Sequence, residues 1–312
     1  MKNSLAIVVV NWNTGNILTH CLNSIKKYSP SIPYEVYVVD NNSSDNTVEI
    51  IKKKFLWVKL IVNKDNLGFG KANNQVLNKI KDEYVFILNP DIEFTTSTVY
   101  HLLNFLKENS DVAACAPIML NKDRTIQSKG YYHRFPSLAQ TLLFYTDLYK
   151  VSIKNKNLVE QFWENKIDIK NNFEVDQIPG ACIFARVNKL REVGFFDKRY
   201  PLLFEDVDLS YKLKQKGSKL FAVPSSKVIH LGGESFKKLE ESDVQIIFFR
   251  GLFIFFRIHK NILEQLLVKL IILLNLIYLI TLVSIKRIIK PTEDKNLFIK
   301  NKWKVAKWLL VS

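Results

Sequence analysis

Short apolar runs alternate with amphipathic stretches over the first 120 residues of the chain. The runs that predict β-strands are Leu5–Val10, Glu35–Val39, Trp57–Val62, Tyr84–Leu88 and Val112–Pro117. Apolar residues recur with the period of an α-helix over Thr14–Lys27, Asn46–Lys54, Lys71–Lys81 and Thr96–Leu106. This alternation predicts an α/β fold, with a mainly parallel sheet that carries helices on both faces.

The middle of the chain is less regular. Residues 121–175 show no clear period, and we predict no elements there. A turn at Pro179-Gly180 then leads into an apolar strand that ends near Arg186. Phe204–Lys216 is typical of a loop entering a helix, and Leu220–Val223 and Lys227–His230 predict two short strands.

The C-terminal segment differs from the rest of the chain. Ile246–Ile258 is rich in Ile, Phe and Leu, and Leu266–Ile285 contains a single charged residue, Lys269. The second run approaches the ~20 apolar residues that span a bilayer. We therefore predict two regions: an α/β domain over residues 1–242 and a basic, apolar helical region over residues 243–312.

Composition and charge narrow the class of protein. The chain has 312 residues, of which 47% are hydrophobic, so it can build a core and is not disordered as a whole. Its net charge of +15 suggests an anionic partner such as nucleic acid, a membrane or a phosphate-bearing ligand. From Ile246 onward, 12 lysines and arginines stand against three acids. Because this basic segment is apolar and contains no recognition element, it favours an anionic membrane surface over nucleic acid.

Cysteine usage and the N-terminus indicate the compartment. Cys21, Cys115 and Cys182 are far apart and odd in number, which fits neither a disulfide framework nor a zinc site. We expect them to be reduced and buried in a cytosolic environment. The apolar run Leu5–Val10 is too short for a secretory signal.

Ligands of open parallel sheets bind beyond the carboxyl ends of the strands. Asp40 ends the second strand, where it could accept hydrogen bonds from a ribose or base; a turn with a helix cap would explain it equally. Asp91, after Asn89-Pro90, could bind a divalent cation or form an ordinary turn. His230 could join Asp91 on that cation, or be a structural histidine.

Two further segments carry candidate chemistry. Asn66–Asn74 contains Gly68 and Gly70 and enters a helix, so its backbone could approach a nucleotide closely, although a Gly-x-Gly fragment alone is a weak signal. Glu205, Asp206 and Asp208 are three acids before a helix. One of them could be a general base, or all three could simply stabilise the helix N-terminus.

The order of these motifs is more specific than any one of them. The series comprises Val9-Val10-Asn11-Trp12-Asn13, Val39–Asp45, Asn66–Asn74, Leu88–Asp91, Pro179–Ala181, Gly194–Asp197, Phe204–Leu209 and His230–Ser235. It resembles the family 2 inverting glycosyltransferases of GT-A fold, in particular the rhamnosyltransferase-like branch, over about residues 4–260. The resemblance implies a GT-A nucleotide-diphospho-sugar transferase fold and transfer of a sugar from a nucleotide diphosphate.

The resemblance also implies site roles. The residues that would bind the nucleotide-sugar are Asn11, Trp12, Asn13, Asp40, Asn42, Asn66, Gly68, Asn73 and Asn89. Asp91 would be the main ligand of a divalent cation, Mg²⁺ or Mn²⁺, with His230 as a second; the first Asp of the family's Asp-x-Asp motif is Asn89 here. Asp206 matches the general base, with Glu205 beside it, and Gly180, Ala181 and Asp208 would shape the acceptor site.

The resemblance favours a dTDP- or UDP-linked donor, dTDP-rhamnose first, and a glycan or lipid-linked glycan acceptor. We expect the protein at the cytoplasmic face of the cell membrane, peripheral or with one C-terminal membrane segment. A buried helical hairpin remains the soluble alternative for that region. A processive polysaccharide synthase is disfavoured because the sequence has no Gln-x-x-Arg-Trp motif and at most one span. A catalytically inactive nucleotide-sugar-binding module is a further alternative, as is a nucleic-acid-binding protein.

Overall fold

The structure is a computed structural model that describes residues 4–28, 30–96, 98–127, 133–144, 168–232 and 239–311. The chain divides into two compact units. The first comprises Met1–Phe135 and Asn165–Ser235, and the second comprises Pro136–Glu164 and Phe236–Ser312. Residues 233–235 of the predicted His230–Ser235 motif lie outside the described residues.

The first unit contains nine strands and six of the helices that the structure describes. The strands are β1 (Leu5–Asn11), β2 (Tyr34–Asp40), β3 (Val58–Val62), β4 (Tyr84–Leu88), β5 (Ile92–Phe94), β6 (Val112–Leu120), β7 (Phe173–Glu174), β8 (Cys182–Arg186) and β9 (Lys219–His230). The helices are α1 (Gly15–Lys27), α2 (Thr47–Lys54), α3 (Phe69–Leu77), α4 (Thr98–Glu108), α6 (Val187–Glu192) and α7 (Glu205–Gln215).

The strands form one sheet in the order β3-β2-β1-β4-β8-β6-β9-β5, and β7 pairs with β9. Strands β1 to β4 run parallel to one another, as does the pair β6 and β9. Strands β5, β7 and β8 run antiparallel to theirs, so the sheet is mixed. The predicted α/β sheet with helices on both faces is confirmed.

Both faces of the sheet are covered, which explains the unbroken apolar run of β1. Alternate residues of a strand point to opposite faces. Leu5, Ile7 and Val9 lie in one core cluster, which also contains apolar residues of α1, α2 and α4. The intervening Ala6, Val8 and Val10 lie in a second cluster, with residues of α3, α6 and α7.

Several elements differ from the prediction. The two short strands expected near the end of the first unit are one twelve-residue strand, β9, with an irregularity in its pairing to β6 between Pro117 and Ile118. Pro224 interrupts the apolar pattern there, so the sequence suggests two strands. The short elements β5, β7 and α6, and a short helix over Leu138–Phe144, were not predicted, because they are too brief to show a period.

The buried side chain of Asn74 joins α3 to the segment that leads into α7. Its Nδ2 atom donates to the carbonyl oxygen of Phe196 at 2.7 Å, and its Oδ1 atom accepts from the Phe196 amide at 3.2 Å. The side-chain amide of Asn74 therefore satisfies both backbone polar groups of Phe196. This pair of bonds holds the loop before the three acids against the start of α3.

The second unit is helical in the part that the structure describes. It contains α5 (Leu138–Phe144), α8 (Glu241–His259), α9 (Ile262–Ile289) and α10 (Glu293–Val311). Helix α9 packs against α5, α8 and α10. It is also the one helix among the described residues that is long and apolar enough to cross a membrane, with a mean hydropathy of 2.6.

We predict that Asn74→Ala lowers the free energy of unfolding by about 2–3 kcal/mol, because the substitution leaves two buried backbone groups of Phe196 without partners. Urea denaturation followed by tryptophan fluorescence measures this change. Asn78→Ala is the matched control, since Asn78 is an exposed asparagine whose side chain makes one bond, to the Asn74 carbonyl. Equal effects of the two substitutions would contradict the prediction.

Candidate active site

The carboxyl ends of β1, β2 and β4 lie at one edge of the sheet because these strands are parallel. Asn11, the last residue of β1, pairs in register with Asp40, the last residue of β2. The strand β4 ends just before Asn89 and Asp91. The structure therefore brings three of the predicted strand-end motifs together.

The side chains of Asn11 and Asp40 are fully buried and bonded within the chain. Asp40 Oδ1 accepts from the Ser43 hydroxyl at 2.6 Å and from Asn11 Nδ2 at 3.3 Å, and Asp40 Oδ2 accepts from the Ser43 amide at 3.0 Å. Asn11 also donates to the hydroxyl of Thr47 at 3.2 Å and accepts from that of Thr14 at 2.6 Å. Both residues thus hold the two loops in place, and direct binding of a ligand stays a prediction for them.

Trp12 and Asn42 are among the residues that these loops expose. The Trp12 side chain is 36% exposed, and Asn42 is exposed. Asn13 and Asn42 both adopt left-handed backbone, with φ of 55° and 64°, which asparagine tolerates better than most residues. Asn13 Oδ1 accepts from the Ser44 amide at 2.7 Å, so the two loops are tied to each other.

The side-chain amides of Asn41, Asn63 and Gln75 form a hydrogen-bonded chain from this edge of the sheet to α3. The sequence analysis did not select these three residues. Asn63 Nδ2 donates to Asn41 Oδ1 at 2.9 Å, and Gln75 Nε2 donates to Asn63 Oδ1 at 2.9 Å. Asn41 Nδ2 donates to the carbonyl oxygen of Gly68 at 3.2 Å. The signal that could have found them is position, since Asn41 and Asn63 directly follow β2 and β3.

Gly68 cannot be replaced by a residue with a side chain without moving the backbone around it. It has φ of 79°, and a Cβ atom there would lie 2.2 Å from the carbonyl oxygen of Pro201. The exposed Asn66 accepts from the Gly68 amide at 3.0 Å. Asn73 is fully buried and donates to the Phe69 carbonyl at 3.0 Å. Because it has no side chain, Gly68 can lie against Pro201 in the loop before α7.

Asp91 and His230 face each other at the end of β4. Asp91 Oδ1 lies 3.4 Å from His230 Nε2, and both side chains are buried. The side-chain amide of Gln127 contacts His230 at two points. Its Nε2 atom lies 3.5 Å from the backbone carbonyl oxygen of His230, and its Oε1 atom lies 2.8 Å from the ring nitrogen Nδ1. A neutral His230 that donates from Nδ1 to Gln127 directs the lone pair of Nε2 at the carboxylate of Asp91.

This arrangement fits a divalent cation. Asp91 Oδ1 has no hydrogen-bond partner within the described residues, although it is buried. Two facing acceptors repel each other unless a cation or proton lies between them. Gln127, which sequence reasoning missed, orients the imidazole as outer partners of metal-binding histidines do. No group of three His, Cys, Asp or Glu side chains suited to a metal occurs in the described part of the chain, so further ligands would come from substrate and water.

The three predicted acids begin α7 after a strained turn. Leu203 and Phe204 both adopt left-handed backbone, with φ of 65° and 70°, which is unfavourable for residues with side chains. Asp206 Oδ2 accepts from the Gly180 amide at 2.7 Å, and Asp206 Oδ1 accepts from the Val207 amide at 2.9 Å. A Cβ atom on Gly180 would lie 2.9 Å from Asp206 Oδ2, so a side chain there would displace the carboxylate.

The turn at Gly180 connects the acids to the end of β4. The carbonyl oxygen of Ala181 accepts from the Asn89 amide at 3.0 Å, while the amide of Gly180 binds Asp206. The predicted acceptor-site residues Gly180 and Ala181 therefore lie between Asn89-Pro90-Asp91 and Asp206. The site is one connected set of contacts in the first unit.

Glu205 and Asp206 have perturbed acidities. Burial, together with the negative charge of Asp206, raises the pKa of Glu205 to about 8. Burial also raises the pKa of Asp206, while the hydrogen bonds from Gly180 and Val207 and the charge of His133 oppose this shift. His133 lies in the unpredicted middle of the chain, and sequence reasoning did not select it.

Asp208 lies away from these contacts. It is fully buried, its Oδ2 atom pairs with Lys212 Nζ at 2.9 Å, and its Oδ1 atom accepts from the Tyr200 hydroxyl at 3.4 Å. Lys212 also donates to the Phe195 carbonyl at 2.9 Å. Asp208 thus anchors the segment before α7, and its acceptor-site role stays a prediction that these contacts do not require.

We predict that Glu205→Gln removes part of the pH dependence of stability. Between pH ~4.5 and ~8 the folded protein holds a proton on Glu205 that the unfolded chain releases, so stability falls as pH rises through this window, by about 1.4 kcal/mol for each pKa unit. The variant should lack this loss and gain stability relative to wild type from pH 5 to pH 8. Thermal unfolding across that range measures it. Glu108→Gln, on an exposed glutamate of α4, is the control, and unchanged pH slopes in Glu205→Gln would refute the assignment.

Comparisons with known proteins show the family and the fold. The family described as "Glycosyl transferase family 2" matches residues 6–164. An N-acetylglucosaminyl-diphospho-decaprenol L-rhamnosyltransferase of Mycobacterium tuberculosis is 25% identical over 251 residues, covering 74% of this chain and 76% of that protein. The rhamnosyltransferase WbbL of Escherichia coli is 26% identical over 172 residues, covering 52% of this chain and 60% of that protein.

A solved structure shares the fold. The mannosyltransferase PcManGT from Pyrobaculum calidifontis, solved in complex with GDP-Man and Mn²⁺, matches with a TM-score of 0.57 at 14% identity. The match covers 100% of this chain and 87% of that one. The predicted GT-A fold is thereby confirmed. The chain belongs to glycosyl transferase family 2, and it is a rhamnosyltransferase-like glycosyltransferase.

Proposed function

We propose that the enzyme transfers a sugar, rhamnose first, from a nucleotide diphosphate to a hydroxyl of a lipid-linked or cell-surface polysaccharide acceptor, with inversion at the anomeric carbon. The observation that carries this proposal is the fixed carboxylate of Asp206, bonded to Gly180 on a turn that also binds Asn89. The names of the two rhamnosyltransferase relatives support rhamnose as the first candidate.

The donor would occupy the edge formed by the ends of β1, β2 and β4. The exposed indole of Trp12 offers an apolar face to a base, and Asn13 and Asn42 offer amide groups to base or ribose. The loop with Asn66 and Gly68 would lie along the nucleotide. Asn11, Asp40 and Asn73 would act mainly by shaping these loops, since their side chains are buried and bonded. A dTDP- or UDP-linked sugar is the expected donor.

Asp91 and His230 would hold a divalent cation, Mg²⁺ or Mn²⁺, together with diphosphate oxygens. When bound, such a cation neutralises the charge that develops on the leaving diphosphate. Asp91 supplies a buried carboxylate oxygen and His230 supplies the imidazole nitrogen that faces it. Gln127 keeps the proton of His230 on Nδ1, so that Nε2 remains a ligand. Asn89 beside them contributes an amide to the donor site.

Asp206 would remove the proton of the acceptor hydroxyl as that oxygen attacks the anomeric carbon. The bond from the anomeric carbon to the diphosphate oxygen breaks, and its electron pair leaves with the diphosphate. This single displacement inverts the configuration and needs no covalent nucleophile. The raised pKa of Glu205, about 8, keeps that neighbour neutral near pH 7, so Asp206 carries the one negative charge of the pair.

The acceptor would approach from the side of the Gly180-Ala181 turn. Because homologues such as the mycobacterial rhamnosyltransferase are named for a lipid-linked substrate, we propose a membrane-bound acceptor and a position at the cytoplasmic face of the cell membrane. The basic, apolar C-terminal segment supports association with an anionic surface. Peripheral association would suffice for this purpose.

We predict that Asp206→Asn lowers sugar transfer by about 10²–10⁴-fold and leaves donor binding near normal, because a carboxamide cannot accept the proton. A panel of dTDP- and UDP-sugars, tested first for thermal stabilisation of the wild-type enzyme, identifies the donor for this assay. Asp123→Asn, at an exposed loop carboxylate, is the control and should keep full transfer. Retained turnover in Asp206→Asn would overturn the assignment of the base.

We predict that EDTA stops transfer and that Mn²⁺ or Mg²⁺ restores it, since Asp91 Oδ1 and His230 Nε2 lie 3.4 Å apart where they would hold the cation. Asp91→Ala should weaken donor binding. Gln127→Leu should lower cation affinity by about 10–100-fold, because the imidazole loses its orienting partner. Titration of Mn²⁺ against activity measures the change in cation affinity in both variants. Full activity in chelator would defeat the cation proposal, and unaltered metal dependence in His230→Ala would refute that ligand.

A further inference from the structure

The long helix α9 of the second unit exposes a continuous apolar ridge. We define the outer ridge as Leu266, Leu270, Leu274, Ile277, Tyr278 and Ile285, each of which is 43–56% exposed. These residues recur at three- and four-residue spacing, so they share one side of the helix. With a rise of about 1.5 Å per residue, the outer ridge is about 30 Å long.

The opposite side of α9 is already buried in the unit. Val268, Ile272, Leu276 and Ile280 are 0–6% exposed, and α9 packs against α5, α8 and α10. The outer ridge is therefore not the core-facing side of the helix. Apolar surface that remains exposed after a helix has packed marks an interaction surface.

Charged residues are absent from the outer ridge itself. On a helical wheel the charged residues of α9 all lie on the other half of the helix; they are Glu264, Lys269, Lys286 and Arg287, and Lys290 directly follows the last turn. Lys286, Arg287 and Lys290 are exposed at the C-terminal end. An apolar side next to a cluster of cations is the pattern of a helix that lies in the interface of an anionic bilayer.

Net charge distinguishes a lipid surface from a second copy of the chain. The segment from Ile246 onward has 12 basic residues and three acidic ones. Two copies joined through their outer ridges would bring these surplus charges together, whereas acidic headgroups would neutralise them. Helix α10 adds the exposed Trp303 among lysines, and tryptophan is typical of the membrane–water interface.

The contacts of α9 favour a position in the plane of the membrane over a spanning one. Helices α8 and α10, which cover its buried side, are joined by ion pairs of Lys302 with Glu241 at 3.2 Å and of Lys304 with Asp243 at 2.8 Å. If α9 crossed the bilayer with these helices attached, their charges would enter hydrocarbon, at a high cost in free energy. A helix lying flat keeps them in water.

We infer that the second unit binds an anionic bilayer from one side, with α9 parallel to the membrane plane and its outer ridge inserted into the interface, while the surplus positive charge of the segment strengthens binding to acidic headgroups. The inference deepens the membrane association in the proposed function. It depends on neither the donor nor the chemistry of transfer.

The test uses the full-length chain and vesicles of phosphatidylcholine with about 30% phosphatidylglycerol. We expect flotation with these vesicles, weaker binding to phosphatidylcholine alone, and release by alkaline carbonate. The double variant Leu270→Glu/Leu274→Glu should bind at least about tenfold more weakly. Leu56→Glu, at a leucine of the first unit that is 85% exposed, is the matched control and should bind like wild type.

A second pair of variants tests the charges. Lys286→Gln/Arg287→Gln should lower binding to the anionic vesicles by about fivefold for each charge removed, and should not alter binding to phosphatidylcholine. Lys53→Gln/Lys54→Gln, at exposed lysines of α2, is the control. Circular dichroism confirms that the variants are folded.

Three results would overturn the inference. Retention in the membrane after carbonate would indicate a spanning helix. If the Leu270→Glu/Leu274→Glu variant bound vesicles as strongly as the wild type, the outer ridge would be excluded as the membrane-binding surface. Self-association in solution that this variant abolishes, without vesicle binding by the wild type, would assign the ridge to a second copy. Stabilisation by a sugar nucleotide, measured on the same variants without vesicles, reports on the proposed function separately, because Leu270 and Leu274 lie outside the active site.

Discussion

The active-site edge depends on how the buried carboxyl group of Asp40 is satisfied. A buried polar group without hydrogen bonds is costly, and Asp40 is fully inaccessible at the end of β2. Its partners are the amide and hydroxyl of Ser43 and the side chain of Asn11 at the end of the neighbouring strand. These bonds fix the two loops that expose Trp12 and Asn42, so the surface offered to a nucleotide follows from a buried constraint beneath it.

A second constraint links the metal end of the site to the acidic end. The Gly180-Ala181 turn binds Asp206 through one amide and Asn89 through one carbonyl. A side chain at Gly180 would displace the Asp206 carboxylate. Since backbone groups make both contacts, the turn sets the relative placement of Asn89 and Asp206 with little freedom. Burial, together with the charge of Asp206, raises the pKa of Glu205, as the proposed role of Asp206 requires.

The apolar residues of α9 have two different environments in the second unit. One side of α9 stabilises the unit, whereas the outer ridge remains exposed after packing. A hydropathy profile sums both sides and so indicates a spanning helix, with a mean hydropathy of 2.6. The ion pair between Lys302 and Glu241, which ties the covering helices together, instead favours a helix lying at the surface of a membrane.

The sequence by itself determined the α/β class, the main strands, and the order of motifs that predicts a glycosyltransferase, because these depend on local periodicity and on residues close together in the chain. It also predicted that strand-end residues meet, which follows from parallel strands alone. Only the tertiary structure decided which of them remain accessible: Asp40 is buried and bonded while Trp12 is exposed, and Asp208 pairs with Lys212 although its sequence position resembles that of Asp206. The tertiary structure also places Gln127, from a segment whose sequence shows no clear period, where its side chain contacts and orients His230. Burial and pairing between distant segments are properties of packing, which no local pattern encodes.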